Sequence, residues 1–186
     1  MEKLDRLFEG MIAYNAGDPA RIQHLTKVHS FARLIGLSEG LEAHTQFCLE
    51  AAAYVHDIGI RNAEKKYGSS GGKLQEQEGP PEAERLLQSL GFAKTDVERI
   101  CWLVGHHHTY QGIDGPDYQI LVEADFLVNL FEEHSGREAV ETALERVFRT
   151  KTGKKLCREM FLENKAGEEA DGERNFSNRS GTDGFF

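Results

Sequence analysis

Apolar residues recur three and four positions apart along most of this chain, and no stretch alternates apolar with polar long enough to make a strand. The elements expected are therefore helices. Leu4, Leu7, Phe8, Met11 and Ile12 mark a first amphipathic helix that stops near Gly17. Asp18 and Pro19 read as N-cap and first residue of a second helix, because an aspartate side chain can accept from a free first-turn N–H and proline has none to leave unpaired. A third helix covers about residues 41 to 58, with Phe47, Ala51, Tyr54, Val55 and Ile58 on one stripe and Gly59 as its stop. Residues 61–79 mix charges with Ser/Gly turns and read as a long loop, after which Pro80 and Pro81 open a short helix that Gly91 ends.

Thr95 and Glu98 form a T-x-x-E capping-box pattern ahead of Val97, Ile100, Cys101 and Val104. The run "YQILVEADFLVNLF" is apolar almost all round, as in a helix buried through the centre of a domain. Ser135 and Glu138 suggest another capping box, followed by Ala139, Ala143, Leu144, Val147 and Phe148, and a last helical segment covers about residues 155 to 162. From 163 to 186 Gly, Ser, Asn and charges dominate, which predicts a flexible C-terminal tail. The fold class expected is all-α, one helical bundle of about six to eight helices over residues 1–162.

Helical angles also sort the histidines. At about 100° per residue, Val28, Phe31, Ala32 and Ile35 lie within about 80° of His24, while His29 lies about 140° away. His24 thus faces the core. His56 points away from the apolar stripe of its helix, over Ala52 and Ala53, whose small side chains leave space for an ion or substrate. If the helix after Thr95 runs on through Gly105, His107 and His108 turn inward and His106 outward. Asp125 sits inside the most apolar helix with Asn129 as its one polar neighbour, so its carboxylate needs a cation or donors. His29, His44 and His134 read as structural or exposed.

Composition narrows the function. Twenty-two Lys and Arg against thirty-one Asp and Glu give a net charge of −9, and no basic block breaks the balance, which argues against a nucleic-acid duplex as partner. A small anionic substrate stays open, because a bound cation can invert the local field. Cys48, Cys101 and Cys157 are odd in number and widely spaced, so reduced, buried thiols are expected. No basic region leads into an apolar core at the N-terminus, and no apolar run reaches about 18 residues, so no membrane association and a cytoplasmic location are expected.

The inward polar residues collect into one set: His24, His56, Asp57, His107, His108 and Asp125. Imidazole nitrogens and carboxylate oxygens are donors for Mn, Fe, Co, Ni or Zn, and helical bundles build metal sites from such inward side chains. The H…HD…H…D order resembles that of the HD-domain metal-dependent phosphohydrolases. "RIQHLTKVHSFARLIG" looks like the first-histidine helix of that family, "AAAYVHDIGI" like its signature pair, and "LVEADFLVN" like the segment supplying the closing Asp. The likeness spans about residues 20 to 130.

That resemblance implies hydrolysis of a phosphate ester or anhydride, of a nucleotide or another small phosphorylated compound, by metal-activated water. His24, His56, Asp57 and Asp125 would hold a first ion, and His107 and His108 would hold a second or bind phosphate. In two-metal members an extra His precedes a short helix; here "EQEGPPEAERLL" places Glu78 nearby, a carboxylate that could substitute as ligand. Asp57 or Glu78 would orient the nucleophilic water, and Arg61, Lys65 and Lys66 could reach phosphate from the loop. One or two ions are expected. Two alternatives use the same residues: an oxygen-dependent di-iron enzyme, and a nucleotide sensor without turnover.

Overall fold

The structure, a computed structural model, describes residues 2–163. Among these residues it has nine helices and no strand, in one domain: α1 (Lys3–Tyr14), α2 (Pro19–Ser38), α3 (Ala43–Val55), α4 (Ile60–Tyr67), α5 (Gly72–Ser89), α6 (Lys94–Val104), α7 (Pro116–Glu132), α8 (Arg137–Arg146) and α9 (Lys151–Phe161). The tail expected over 163–186 lies outside the described residues, apart from Glu163. No described helix is long and apolar enough to cross a membrane.

The centre is α3, which packs against α1, α2, α6 and α7. Every residue from Cys48 to Val55 is buried, and Ala51, Ala52 and Ala53 let the neighbouring helices approach its axis closely. Beside it lie α2 and α7, also packed on each other, with the α5–α6 and α8–α9 pairs outside. Leu25, Ile35, Leu49, Ile100, Leu103, Ile120, Leu121 and Leu127 are fully buried. At about 1.5–3 kcal/mol each, such side chains give the fold an apolar foundation that can carry a few buried charges. The start of α2 follows its sequence signal: Asp18 accepts from the Arg21 N–H at 3.0 Å, and Pro19 is the first helical residue.

The loop expected over 61–79 is a correction. That stretch is helical except for residues 68–71, where Gly68 closes α4 in the left-handed region at φ 66°. Its Lys, Arg, Glu and Gln are good helix formers, and the apolar period is weak because α4 buries only Ile60 and Ala63. Pro80 and Pro81 do not open α5; they lie inside it. Cys101 joins α6 to this point, its thiol donating to the Pro80 carbonyl at 3.5 Å. The turn after His56 meets α5 at two glycines. A Cβ on Gly59 would stand 2.5 Å from the Gly79 nitrogen and 2.7 Å from the Gln75 oxygen, and one on Gly79 would stand 2.6 Å from Val104 Cγ1. This close crossing is what brings Gln75 beside the residues that follow α6.

Neither expected capping box forms. Ala93 precedes α6 and Gly136 precedes α8, both without side-chain caps, and Glu98 instead pairs with Lys94 one turn back. The last helix starts earlier than its apolar residues suggest. Thr150 caps α9 by accepting from the Gly153 N–H at 2.9 Å, and the fully buried Glu123 accepts from the Thr150 N–H at 2.9 Å.

Candidate metal centre

Four chain segments converge on one point. His24 comes from the second turn of α2, His56 caps the C-terminus of α3 with Asp57 next in the turn, His107 lies in the turn after α6, and Asp125 is central in α7. His24 Nε2 lies 3.3 Å from His56 Nε2, 3.3 Å from Asp125 Oδ1 and 3.6 Å from Asp57 Oδ2. His56 Nε2 lies 3.5 Å from Asp125 Oδ1 and 3.8 Å from Asp57 Oδ2. The other Asp57 oxygen, Oδ1, is 3.4 Å from His107 Nε2. His56 and His107 are sealed from solvent, whereas Asp57 is partly open.

The second ring nitrogens decide what this point can hold. His24 Nδ1 faces Glu132 Oε2 at 2.9 Å, His56 Nδ1 faces the Ala53 carbonyl at 3.0 Å, and His107 Nδ1 faces the Val104 carbonyl at 2.8 Å. Each of those oxygens can only accept, so each Nδ1 carries a proton and donates it. Three Nε2 lone pairs are thereby turned onto two carboxylates. His107 Nε2 is buried with no hydrogen-bond partner at all. Orphaned buried acceptors are costly. A divalent ion resolves the arrangement: bonds of about 2.1 Å place neighbouring donors about 3.0–3.4 Å apart, and the observed spacings start at 3.3 Å. His24, His56 and Asp125, and likewise His56, Asp57 and His107, are groups whose donor atoms could share an ion. The residues present therefore fit a metal.

Charge tells the same story. Burial works against protonated His24, but the carboxylates of Asp125 and Asp57 outweigh it and raise the ring to about 9; His56 also rises, because Asp57 and Asp125 outweigh its burial. Burial alone would raise Asp57, yet His56 and His107 hold it down at about 2, and His24 and His56 drive Asp125 far below the carboxylate range. The pocket demands positive charge, and without a metal only protons on imidazole supply it.

His24, Asp57 and Asp125 form the floor of an open cleft of about 740 Å³.

The chain is similar to a predicted HD superfamily hydrolase. That protein, from an uncultured Thermotogales bacterium, has a crystal structure that matches with a TM-score of 0.56 and 26% identity, over 85% of this chain and 82% of that one. No family model and no curated protein matches the sequence. The likeness and the His/Asp cluster together fit a metal-dependent hydrolase of the HD superfamily type, held by an all-α domain.

Not every sequence candidate is at the centre. His108 lines the cleft, but its Nε2 donates to Gln75 Oε1 at 2.9 Å. The Gln75 amide is fixed in that sense because its nitrogen donates to the Ser70 carbonyl at 2.7 Å. Burial and the neighbouring His107 push His108 down to about 4. Glu78 faces away from the cleft, accepting from Lys66 and from the Tyr67 hydroxyl at 3.0 Å. Lys66 is spent on that pair, Arg61 donates to the Tyr14 carbonyl at 2.8 Å, and Lys65 is exposed on α4; none of the three lines the cleft. The reason is the loop that became a helix: α4 carries its cations on faces turned from the centre.

The cations that do line it are Arg21 and Lys27, one turn to either side of His24. Lys27 donates to Glu132 Oε1, so Glu132 holds Lys27 and His24 with its two oxygens. Asn129 donates to Asp125 Oδ1 at 3.0 Å. Arg21, His24 and Lys27 are spaced by three, and Asp125, Asn129 and Glu132 by four and three, so both sets share a helix face with a ligand. That spacing is the signal by which they were findable. Gln75 has no comparable signal. His106 is stacked on Trp102 outside the centre, His29 stacks on Tyr54, and His134 stands on the cleft rim.

Proposed function

We propose that this protein is a phosphohydrolase that uses one divalent transition ion to cleave a phosphate ester or anhydride of a small phosphorylated compound, nucleotides included. The observation that carries the reading is the convergence of the Nε2 atoms of His24, His56 and His107 on Asp57 and Asp125 at the floor of an open cleft. His24, His56, Asp57 and Asp125 would hold the ion, with His107 facing the second oxygen of Asp57. When bound, the ion lowers the pKa of water toward neutrality and offsets charge on phosphoryl oxygens.

The chain's own side chains divide the remaining work. Glu132 and the Ala53 and Val104 carbonyls fix the three imidazoles in one tautomer, so no ring must rotate for the donors to converge. Asn129 steadies Asp125. Arg21, paired with Asp18, and Lys27, paired with Glu132, are the Lys and Arg side chains on the cleft wall, where a phosphate would lie and compete for them. The Gln75 contact engages His108 Nε2, which favours a single ion and counts against the two-iron alternative.

The test is elemental analysis of purified protein, followed by phosphate release from a panel of nucleotides and phosphate esters with Mn, Fe, Co, Ni or Zn added. Turnover that Asp57→Ala abolishes together with the bound metal is expected. Folded, metal-loaded protein that releases no phosphate from any member would overturn the reading.

A further inference from the structure

At the opposite end of α3 from His56 lies a second group of metal-type donors, chemically unlike the first. His44 and Cys48 stand one turn apart on α3, and Asp96 faces them from the first turn of α6. His44 Nε2 donates to Asp96 Oδ1 at 2.8 Å, and Cys48 Sγ lies 4.0 Å from the same nitrogen. One donor atom from each of the three falls within 4.8 Å of the others. Cys48 and Asp96 are buried, while the His44 ring is open to solvent. At 1.5 Å of rise per residue, His44 and His56 are about 18 Å apart along the helix, too far to serve one ion.

We propose that His44, Cys48 and Asp96 form a separate binding site for a borderline-soft divalent ion, Zn²⁺ being the natural occupant, that ties α3 to α6. The donor set selects the ion. Thiolate with imidazole favours Zn²⁺ or Co²⁺ and disfavours Mg²⁺, Ca²⁺ and Mn²⁺, whereas the His/Asp centre has no sulfur. Charge balances: a thiolate, a carboxylate and a neutral imidazole carry −2 against +2; binding releases the thiol proton, while His44 stays neutral by carrying its proton on Nδ1, which frees Nε2 for the ion. In a tetrahedral zinc site nitrogen and sulfur stand about 3.6 Å apart, so Sγ and Nε2 must close by about 0.4 Å while Nε2 and Oδ1 open by a similar amount. The exposed His44 side chain is free to make that adjustment. Three protein donors leave one position for water at the open side. This site does not depend on the proposed function of the other, and either could fail alone.

The experiment is Co²⁺ titration of the full chain, reduced and stripped of metal, read by near-ultraviolet absorption. Thiolate bound to Co²⁺ gives a charge-transfer band there that nitrogen and oxygen ligands do not, so the His/Asp centre is silent at those wavelengths. A band complete by two equivalents, because the His/Asp centre takes Co²⁺ without absorbing there, kept in Asp125→Asn and lost in Cys48→Ser, is expected. His44→Gln, a change on an exposed side chain that leaves the core untouched, should lose or weaken the band even if Cys48→Ser folds poorly. No band in folded, reduced protein would overturn the proposal, and so would a band that survives both Cys48→Ser and His44→Gln, since it would come from Cys101 or Cys157.

Discussion

His24 donates its Nδ1 proton to Glu132 at 2.9 Å, and this one hydrogen bond leaves Nε2, the nitrogen facing His56, as the one an ion can use. Glu132 is therefore a positioning residue for the metal centre. Glu132→Gln keeps an acceptor but removes the charge that makes the imidazole more basic. A loss of metal affinity of about 10–100-fold is expected, with helix content unchanged by circular dichroism. Unchanged affinity in metal titrations would remove Glu132 from this role.

A bound ion should also hold the fold together by mass action. At a free metal concentration of 100 times Kd the native state gains about 2.7 kcal/mol. For a chain of this size that is about 5–10 °C in Tm. Chelation should lower the melting temperature by this amount and re-addition of metal should restore it, as read by thermal scans. The same scans on Asp125→Asn should show a smaller response to chelator, limited to the share owed to the separate His44–Cys48–Asp96 site.

Arg21 and Lys27 line the cleft while Arg61 is tied to the Tyr14 carbonyl. A charge-assisted hydrogen bond to phosphate is worth about 1.5–3 kcal/mol. Arg21→Ala and Lys27→Ala should each raise KM about tenfold or more, and Arg61→Ala should leave it near the parent value. Steady-state kinetics on the substrate found by the panel decides between the two sets.

The crossing at Gly59 and Gly79 leaves no room for a methyl group. Gly79→Ala meets the end of the Val104 side chain and should cost about 1–3 kcal/mol in urea unfolding. Gly59→Ala meets backbone on α5, which cannot swing aside, and should cost at least as much. If both variants unfold at the parent midpoint, the crossing is looser than the structure has it.

Away from the centre, Glu50 offers a pH test. Burial acts to raise its carboxyl, but hydrogen bonds from His29 at 3.1 Å and Gln46 at 2.8 Å, with Arg33 nearby, outweigh it and lower it. A depressed carboxyl stabilises the fold fully above its unfolded pKa of about 4.3, and that stabilisation fades as pH falls through the folded value. Glu50→Gln should cost about 1 kcal/mol near neutrality, a deficit that shrinks in acid. Parallel urea curves at neutral and acid pH check the sign.

The residues legible in the sequence are those whose chemistry clashes with their surroundings. A histidine on an apolar stripe at 24 and an aspartate inside the most apolar helix at 125 announce themselves without a partner in view. His107 is inward as expected, though the helix assumed in placing it ends at Val104 and a turn does the aiming. Glu78 lies apart from the cluster, paired with Lys66 and Tyr67, because proximity in sequence to a family position does not fix which helix face a residue takes; Gln75, three residues earlier, holds the place beside His108. The prolines misled for a related reason. Their local preference is to open a helix, but packing against α6 and the turn after α3 keeps α5 continuous through them.

The two glycines where that turn crosses α5 imply something about how this protein would look in a mutational screen. Neither carries an atom that could bind a ligand, donate a proton or stabilise a charge. Yet a bulkier residue at either would push apart the segment bearing His56 and Asp57 and the helix bearing Gln75. An activity assay scored position by position would rank Gly59 and Gly79 beside the histidines, and only a separate measure of folding would reveal that they serve by being empty.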